Sequence, residues 1–407
     1  MEEKQLSDFN STPRSNRLHI GIFGRRNAGK STLINAICGH QTAVVSDVAG
    51  TTTDPVYKSM EIHGLGPCVL IDTAGFDDEG KLGRLRMEKT KDAAAKTDVA
   101  ILLFDADIPP DDELEQEKQW LAVLRKQKTP VLAVISKSDT VADTAPLEES
   151  IYRRCKLKPV PISAAHAGTQ SQMRELLLRL LPEGMDRRSI AGHLVNPGDI
   201  VLLVMPQNIQ APEGRLILPQ VQTIRDLLDH LTVVMSVTAD RLDEALSALK
   251  KPPALIITDS QVFSLVYQKK PKESRLTSFS VLMSGVKGDV HAFIEGAQAV
   301  DKLRSGSRVL IAEACTHVPL QEDIGRVQIP RLLKKRCGEG ISIDMVSGTD
   351  FPKDLTPYDL IIHCGGCMFN RRYMMNRLAA AQAAGVPMTN YGVLLAKLNG
   401  ILDKIVY

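Results

Sequence analysis

Residues 21–32 read GIFGRRNAGKST, and inside them Gly24-Arg25-Arg26-Asn27-Ala28-Gly29-Lys30-Ser31 is a glycine, four residues, then glycine-lysine-serine. That spacing means a phosphate-binding loop only between a strand and a helix. Both are predicted here: apolar RLHIGIFG (17–24) runs into it and amphipathic KSTLINAICG (30–39) runs out of it. Glycines let the backbone curl so that successive N–H groups point inward as an anion nest, and the helix N-terminus adds its positive end. Asn27, Ala28, Gly29 and Thr32 then belong to the phosphate cradle. Lys30 is placed to reach the β- and γ-phosphates, and the Ser31 hydroxyl to ligate Mg²⁺.

Working outward, the strands CVLIDTAG (68–75), VAILLFDA (99–106), TPVLAVISK (129–137) and PVPISA (159–164) alternate with helical stretches such as ELEQEKQWLAVLRKQ (113–127). This is the rhythm of a doubly wound α/β domain. Asp72-Thr73-Ala74-Gly75 closes one strand, bringing a carboxylate toward Mg²⁺ and the Gly75 amide toward the γ-phosphate. Ser136-Lys137-Ser138-Asp139 closes another. Asp139 can accept from guanine N1–H and its exocyclic amine, whereas adenine would leave a buried carboxylate unpaired. Ser163 and Ala164 complete the base pocket with Ala165. GTP is therefore the expected nucleotide.

Together these motifs resemble the translation-factor-type GTPases, especially the branch of Era and the tRNA-modifying GTPases. By that resemblance Gly50-Thr51-Thr52-Thr53-Asp54 is switch I, with Thr52 as its magnesium-sensing threonine. Three departures shape the expected chemistry. Ser136 replaces the usual Asn of the base motif, which should weaken base anchoring and speed exchange. Phe76 stands where Ras-like proteins place a water-orienting glutamine, so unaided hydrolysis is expected to be slow. Asn27 holds the position at which related GTPases coordinate K⁺, an ion able to do the electrostatic work of an arginine finger; equally, Asn suits a turn. Gly83 aligns with the water-orienting glutamate of the tRNA-modifying enzymes, so the general base is unknown.

The rest of the chain keeps the same rhythm. At 407 residues two or three domains are expected. The strands DIVLLVMP (199–206), TVVMSVT (232–238), PALIITD (253–259) and SFSVLMS (278–284) predict a second α/β block. SRVLIAEA (307–314), ISIDMVSG (341–348), YDLIIHCG (358–365) and VPMTNYG (386–392) predict a third. PEGMDRRS (182–189) reads as a linker, and the first 16 residues as a polar tail. The fold class is thus α/β: a P-loop GTPase domain over 17–185, then two further α/β domains with mainly parallel sheets, 193–303 and 304–407. Lys plus Arg number 50 against 48 Asp plus Glu, which gives no electrostatic reason to expect nucleic acid or an anionic membrane. The polar N-terminus and the lack of a long apolar run lead to the expectation of a cytoplasmic protein.

The third block carries other chemistry. Cys315-x-His317 is followed, 45 residues on, by His363-Cys364-x-x-Cys367. Cys-x-x-Cys alone is a weak signal; paired with a second Cys/His group it indicates a metal site. Cys315 follows the strand VLIAEA and His363 ends YDLII, so a parallel sheet brings both to one edge, where open α/β sheets bind ligands. Gly365 and Gly366 let the loop wrap tightly and expose amides to thiolates or sulfides. The helix FNRRYMMNRLAAAQAAG (369–385) then offers its N-terminus. Three thiolates and an imidazole suit a Cys₃His zinc site and a [4Fe–4S] cluster alike. Cys38, Cys68 and Cys155 read as core thiols and Cys337 as a minor accessory candidate. His230, His291 and the run LKKR (333–336) read as ordinary helix residues.

The whole-chain order of motifs is similar to the HydF family of [FeFe]-hydrogenase maturation GTPases. That resemblance, from about Arg17 onward, implies a GTPase domain, a dimerisation domain (193–303) and an iron–sulfur cluster-binding domain (304–407). It implies Cys315, Cys364 and Cys367 as cluster ligands, with His317 and His363 as accessory or labile ligands. It further implies a homodimer that carries a di-iron subcluster between radical SAM maturases and apo-hydrogenase. The alternative is a zinc-stabilised regulatory GTPase acting on RNA or ribosome assembly.

Overall fold

The computed structural model describes residues 14–38, 55–63, 65–73, 80–181, 189–206, 216–314, 324–366 and 368–407, without the side chains of 14 and 80–86. The chain forms two compact units, 1–186 and 187–407.

The first unit is one six-stranded sheet. Its elements in order are β1 (Leu18–Gly24), α1 (Lys30–Cys38), β2 (Val56–Ile62), β3 (Gly66–Asp72), α2 (Gly80–Lys96), β4 (Val99–Asp105), α3 (Glu115–Lys126), β5 (Val131–Ser136), α4 (Ala145–Cys155), β6 (Val160–Pro161) and α5 (Thr169–Leu180). Strands lie in the order β2-β3-β1-β4-β5-β6, all parallel except the β2–β3 pair. The central strands are buried on both faces, as their near-continuous apolar runs require. Ile20 and Ile22 pack with α1 and α5 on one face; Phe23 stacks on Trp120 of α3 on the other, ring centroids 5.6 Å apart. The strand order reverses about β1, with β3 on one side and β4 on the other, so its carboxyl end is a switch-point crevice. The antiparallel edge strand β2, VYKSMEI, is not among the predicted runs.

The second unit holds two four-stranded sheets. The first half contains β7 (Ile200–Val204), α6 (Leu218–Asp229), β8 (Val233–Val237), α7 (Leu242–Ala248), β9 (Leu255–Thr258), α8 (Phe263–Lys269), β10 (Arg275–Ser278), α9 (Phe279–Lys287) and α10 (Val290–Gln298). The second contains β11 (Arg308–Glu313), α11 (Ile329–Cys337), β12 (Ser342–Ser347), β13 (Leu360–His363), α12 (Arg371–Ala383), β14 (Met388–Asn390) and α13 (Tyr391–Leu398).

Both sheets are wholly parallel, in the orders β10-β9-β7-β8 and β12-β11-β13-β14. Read from each first strand, these are one and the same topology. The registers also agree: Val201 pairs with Leu255 and Val204 with Thr258, as Val309 pairs with Leu360 and Ala312 with His363. The halves exchange their trailing segments. α10 leaves the first half to lie on β14, where an added Cβ at Gly296 would stand 2.0 Å from Met388 O, and Thr389 Oγ1 donates to Phe293 O at 2.9 Å. In return Val406 packs into the first core and its N–H donates to Leu276 O of β10 at 3.0 Å.

SFSVLMS is a correction. The strand is Arg275–Ser278, and Phe279–Lys287 is helix. Ser278 caps that helix by accepting from Val281 N, and the apolar run is buried against both halves. A short apolar run bounded by serines reads equally as strand or buried helix.

Candidate functional site

β1 delivers Gly24 to a turn in which Asn27 (φ +61°) and Gly29 (φ +80°) are both left-handed. Asn tolerates that backbone because its short amide bonds locally, so Asn27 has a local reason to be Asn beside any potassium role. Lys30, at the start of α1, is buried, and its Nζ donates to Gly24 O (3.1 Å) and Arg25 O (2.7 Å). The Ser31 hydroxyl donates to Asp72 Oδ2 at 2.6 Å, so the two groups expected to share Mg²⁺ are in contact. Thr73 pins the same strand end by donating to Ile22 O at 2.6 Å. Ala28 is buried and Thr32 is exposed beside Ser31.

Arg25 is a residue that the motif leaves unspecified. Its guanidinium makes paired bonds to Asp112 (2.9 and 3.1 Å) and to Glu117 (2.7 and 3.0 Å), whose side chain is fully buried on α3. Those bonds hold the Asp112 carboxyl below its usual range and keep Arg25 firmly protonated. The phosphate loop is thus tied to α3 and to the turn before it by partners some ninety positions away, for which local sequence carries no signal.

On the base side, the Ser136 hydroxyl reaches Ala28 O (2.8 Å) and Phe104 O (3.2 Å), joining the end of β5 to the phosphate loop with its single hydrogen. Lys137, left-handed at φ +55°, pairs with Asp105 at 2.6 Å. Asp139 is exposed here, and a hydrogen bond from the Ser163 side chain draws its carboxyl below the usual range. Ser163 is in turn fixed by Ala165 N, with Thr169 Oγ1 on its carbonyl, and Ala164 lies half-buried beside it. Switch I with Thr52, and Gly75 and Phe76, lie outside the described residues.

In the second unit, β11 and β13 are neighbours and the chain crosses from one side to the other between them, so the edge beyond Glu313 and His363 is a switch point. Cys364 N donates to Ala312 O at 2.9 Å. Cys364 Sγ accepts from Ala314 N at 3.0 Å and Gly366 N at 3.5 Å. Two amides aimed at one sulfur favour its thiolate and fit a metal or cluster ligand. Gly366 is left-handed (φ +65°) and an added Cβ would stand 2.9 Å from Met374 Sδ, so the loop sits tightly on α12. The loop is also anchored from the other half: Lys287 Nζ donates to Phe369 O at 3.0 Å, and Arg371 Nη1 caps the end of α9 through Gly285 O, Val286 O and Gly288 O.

His363 is buried. Its Nδ1 lies 2.9 Å from Cys364 O and its Nε2 2.8 Å from Arg377 Nη1. Arginine can only donate, so Nε2 accepts and Nδ1 carries the hydrogen. Burial, then the Arg377 charge, lowers the ring to about 3, so it is neutral. Cys315, His317 and Cys367 lie outside the described residues; among those described, no three His, Cys, Asp or Glu side chains form a metal-binding group.

The remaining thiols behave as core residues. Burial pushes Cys68 up to about 12 and raises Cys38, Cys155 and Cys337. His230 bonds to Asp226 O, and His291 meets the Tyr407 ring edge-on at 5.4 Å. No helix among the described residues is long and apolar enough to cross a membrane.

Three family models match this chain. Residues 19–137 match a model described as a 50S ribosome-binding GTPase, 190–288 the hydrogen maturase F dimerization domain, and 291–407 the hydrogen maturase F tetramerization domain. GTPase Der of Wolinella succinogenes is 32% identical over 196 residues, 46% of this chain and 40% of that protein. The tRNA modification GTPase MnmE of Endomicrobium trichonymphae is 38% identical over 126 residues, 30% of this chain and 27% of its own length. The chain thus spans well under half of these curated relatives. A crystal structure of Era with MgGDPNP and 16S ribosomal RNA nucleotides is 22% identical, covering 54% of this chain and 91% of that one, with a TM-score of 0.34.

Proposed function

The chain belongs to the hydrogen maturase F (HydF) family, and from that premise we propose that it is a GTP-hydrolysing scaffold and carrier in [FeFe]-hydrogenase maturation. The observation that carries the reading is the Cys364 sulfur, held by two amides at a sheet switch point in a chain that opens with a complete phosphate loop.

On GTP binding, Lys30 exchanges the carbonyls of Gly24 and Arg25 for phosphate oxygens, while Ser31 and Asp72 close on Mg²⁺. Asp139 selects guanine, with Ser163 orienting its carboxylate. Hydrolysis is slow, because Phe76 stands where a water-orienting glutamine would and a phenyl ring cannot orient water, and K⁺ held at Asn27 would stimulate it. Cys315, Cys364 and Cys367 hold a [4Fe–4S] cluster, with His317 as an accessory candidate. When bound, that cluster supplies an incompletely thiolate-ligated iron to which a cargo can attach and from which it can leave. The cargo is the di-iron subcluster, received with the help of radical SAM maturases and passed to apo-hydrogenase. The two family domains support a homodimer and its further association.

The test is anaerobic reconstitution with iron and sulfide, metal analysis, and EPR of the reduced protein beside Cys315→Ser, Cys364→Ser and Cys367→Ser. A [4Fe–4S] signal lost or altered in each variant is expected. Stoichiometric zinc without a cluster would sink the scaffold reading and favour the zinc-stabilised GTPase acting on RNA or ribosomes, the class named by the N-terminal match. Equal turnover in Na⁺ and K⁺ would remove the potassium role.

A further inference from the structure

His363 adjoins the cluster thiol, and a histidine in that place invites the role of a ligand. Its surroundings give it another. The ring is fully buried, Nδ1 donates to the carbonyl of Cys364 and Nε2 accepts from Arg377. Arg377 is itself fixed. It is 4% exposed, donates to Gly348 O at 2.7 Å, and is enclosed by the rings of Phe351, Phe369 and Tyr373 at 4.6, 4.7 and 4.8 Å. Turning Nε2 to a metal would cost the bond from Arg377 Nη1.

The other half of the unit gives an independent comparison. By strand register, Thr258 is the counterpart of His363 and Asp259 that of Cys364. Asp259 N donates to Val204 O as Cys364 N does to Ala312 O. Thr258 Oγ1 reaches both Val204 O and the carbonyl of the following residue, Asp259, at 3.3 and 3.4 Å. A side-chain donor to the next carbonyl therefore recurs at this strand end in a half whose counterpart position carries no cysteine. That bond orients the first peptide of the loop beyond the strand.

We propose that His363 is a positioning residue of the Cys364 loop, its ring clamped between Arg377 and the Cys364 carbonyl, and that it is not a metal ligand. The peptide after Cys364 sets where the Gly366 amide meets the sulfur, so the clamp acts on the thiolate through the loop backbone.

Two measurements on the full chain test this, and the second rests on the cluster-scaffold reading. In the apo protein, iodoacetamide alkylation of Cys364 is followed by peptide mass spectrometry, with Cys337 as internal reference. Arg377→Met and His363→Ala are expected to raise the Cys364 rate about tenfold, the change in loop opening that follows loss of one charge-assisted bond. His363→Asn keeps an N–H for the carbonyl but gives up the Arg377 bond, so its rate should fall between wild type and His363→Ala. Equal rates in all variants would overturn the proposal; should His363→Ala not fold, Arg377→Met and His363→Asn carry the same comparison. In reconstituted protein, pulsed EPR reads nitrogen hyperfine coupling to the reduced cluster. The expected result is the same nitrogen pattern in wild type and His363→Asn. A coupling present in wild type and lost in His363→Asn makes His363 a ligand and ends the proposal. If no cluster forms in wild type the scaffold reading fails instead, and the alkylation series still decides the positioning role.

Discussion

At the carboxyl end of β9 stand Thr258 and Asp259; at the same point of the companion sheet, after β13, stand His363 and Cys364. Strand order, register and the first loop hydrogen bond agree, yet the chemistry differs. Asp259 accepts from Gln220 Nε2 at 3.1 Å, and burial pushes its carboxyl up to about 6 against that bond. Cys364 instead gathers two backbone amides. The lesson is that this sheet edge offers a place, and the identity of one side chain decides whether it suits a soft metal centre or a half-buried carboxyl.

The largest expected effect comes from making the halves alike. Cys364→Asp should abolish cluster assembly, measured as iron and sulfide per chain after reconstitution, whereas Asp259→Cys should leave the iron content unchanged. Iron retained in Cys364→Asp would show that Cys364 is dispensable. Next is the crossing of α10. Gly296→Ala drives a methyl into Met388 O and should cost about 3 kcal/mol. Hydrogen exchange should then show protection lost first at β14, and uniform loss over both sheets would argue against the swapped contact.

A smaller effect separates the halves by pH. Asp259 has an ordinary pKa of 3.8 and a folded value of about 6. Below 3.8 both states are protonated and nothing is lost. As pH rises to 6 the unfolded chain releases its proton first, so stability falls, and the deficit persists above 6. Asp259→Asn should therefore gain about 2 kcal/mol at pH 7 and almost nothing at pH 4, measured by urea unfolding. Smallest is a matched pair of methyl-for-hydroxyl exchanges. Thr389 Oγ1 is bonded to Phe293 O, while Thr277 Oγ1, its buried counterpart, has no partner among the described residues. Thr389→Val should cost about 1 kcal/mol and Thr277→Val should be neutral or slightly stabilising; equal costs would mean that the two strand ends are not distinguished in this way.

The phosphate loop and base motif were legible because their chemistry is local: a few contiguous residues set both backbone and ligand. Strand β13 was legible for the same reason, its three apolar residues running into His363-Cys364. What escaped depends on residues distant in sequence. The Arg25 clamp needs Asp112 and Glu117, and SFSVLMS becomes helix because Ser278 caps it and both halves bury it. The kinship of the two sheets was hidden too, since the rhythm repeats while LIITD and LIIHC differ at the positions that carry function. His363 read as a ligand candidate from its neighbour in sequence; the guanidinium that occupies its Nε2 comes from the next helix.

The exchange of trailing segments also has a temporal meaning. β10 is synthesised well before Val406, the residue that pairs with Leu276 and enters the first core. During translation the first sheet therefore waits with its last strand uncovered, exposed to chaperones and neighbours, until the cysteine-bearing half has been made. A chain interrupted between them would keep the β10 edge without its Val406 partner, the kind of open edge that recruits other strands.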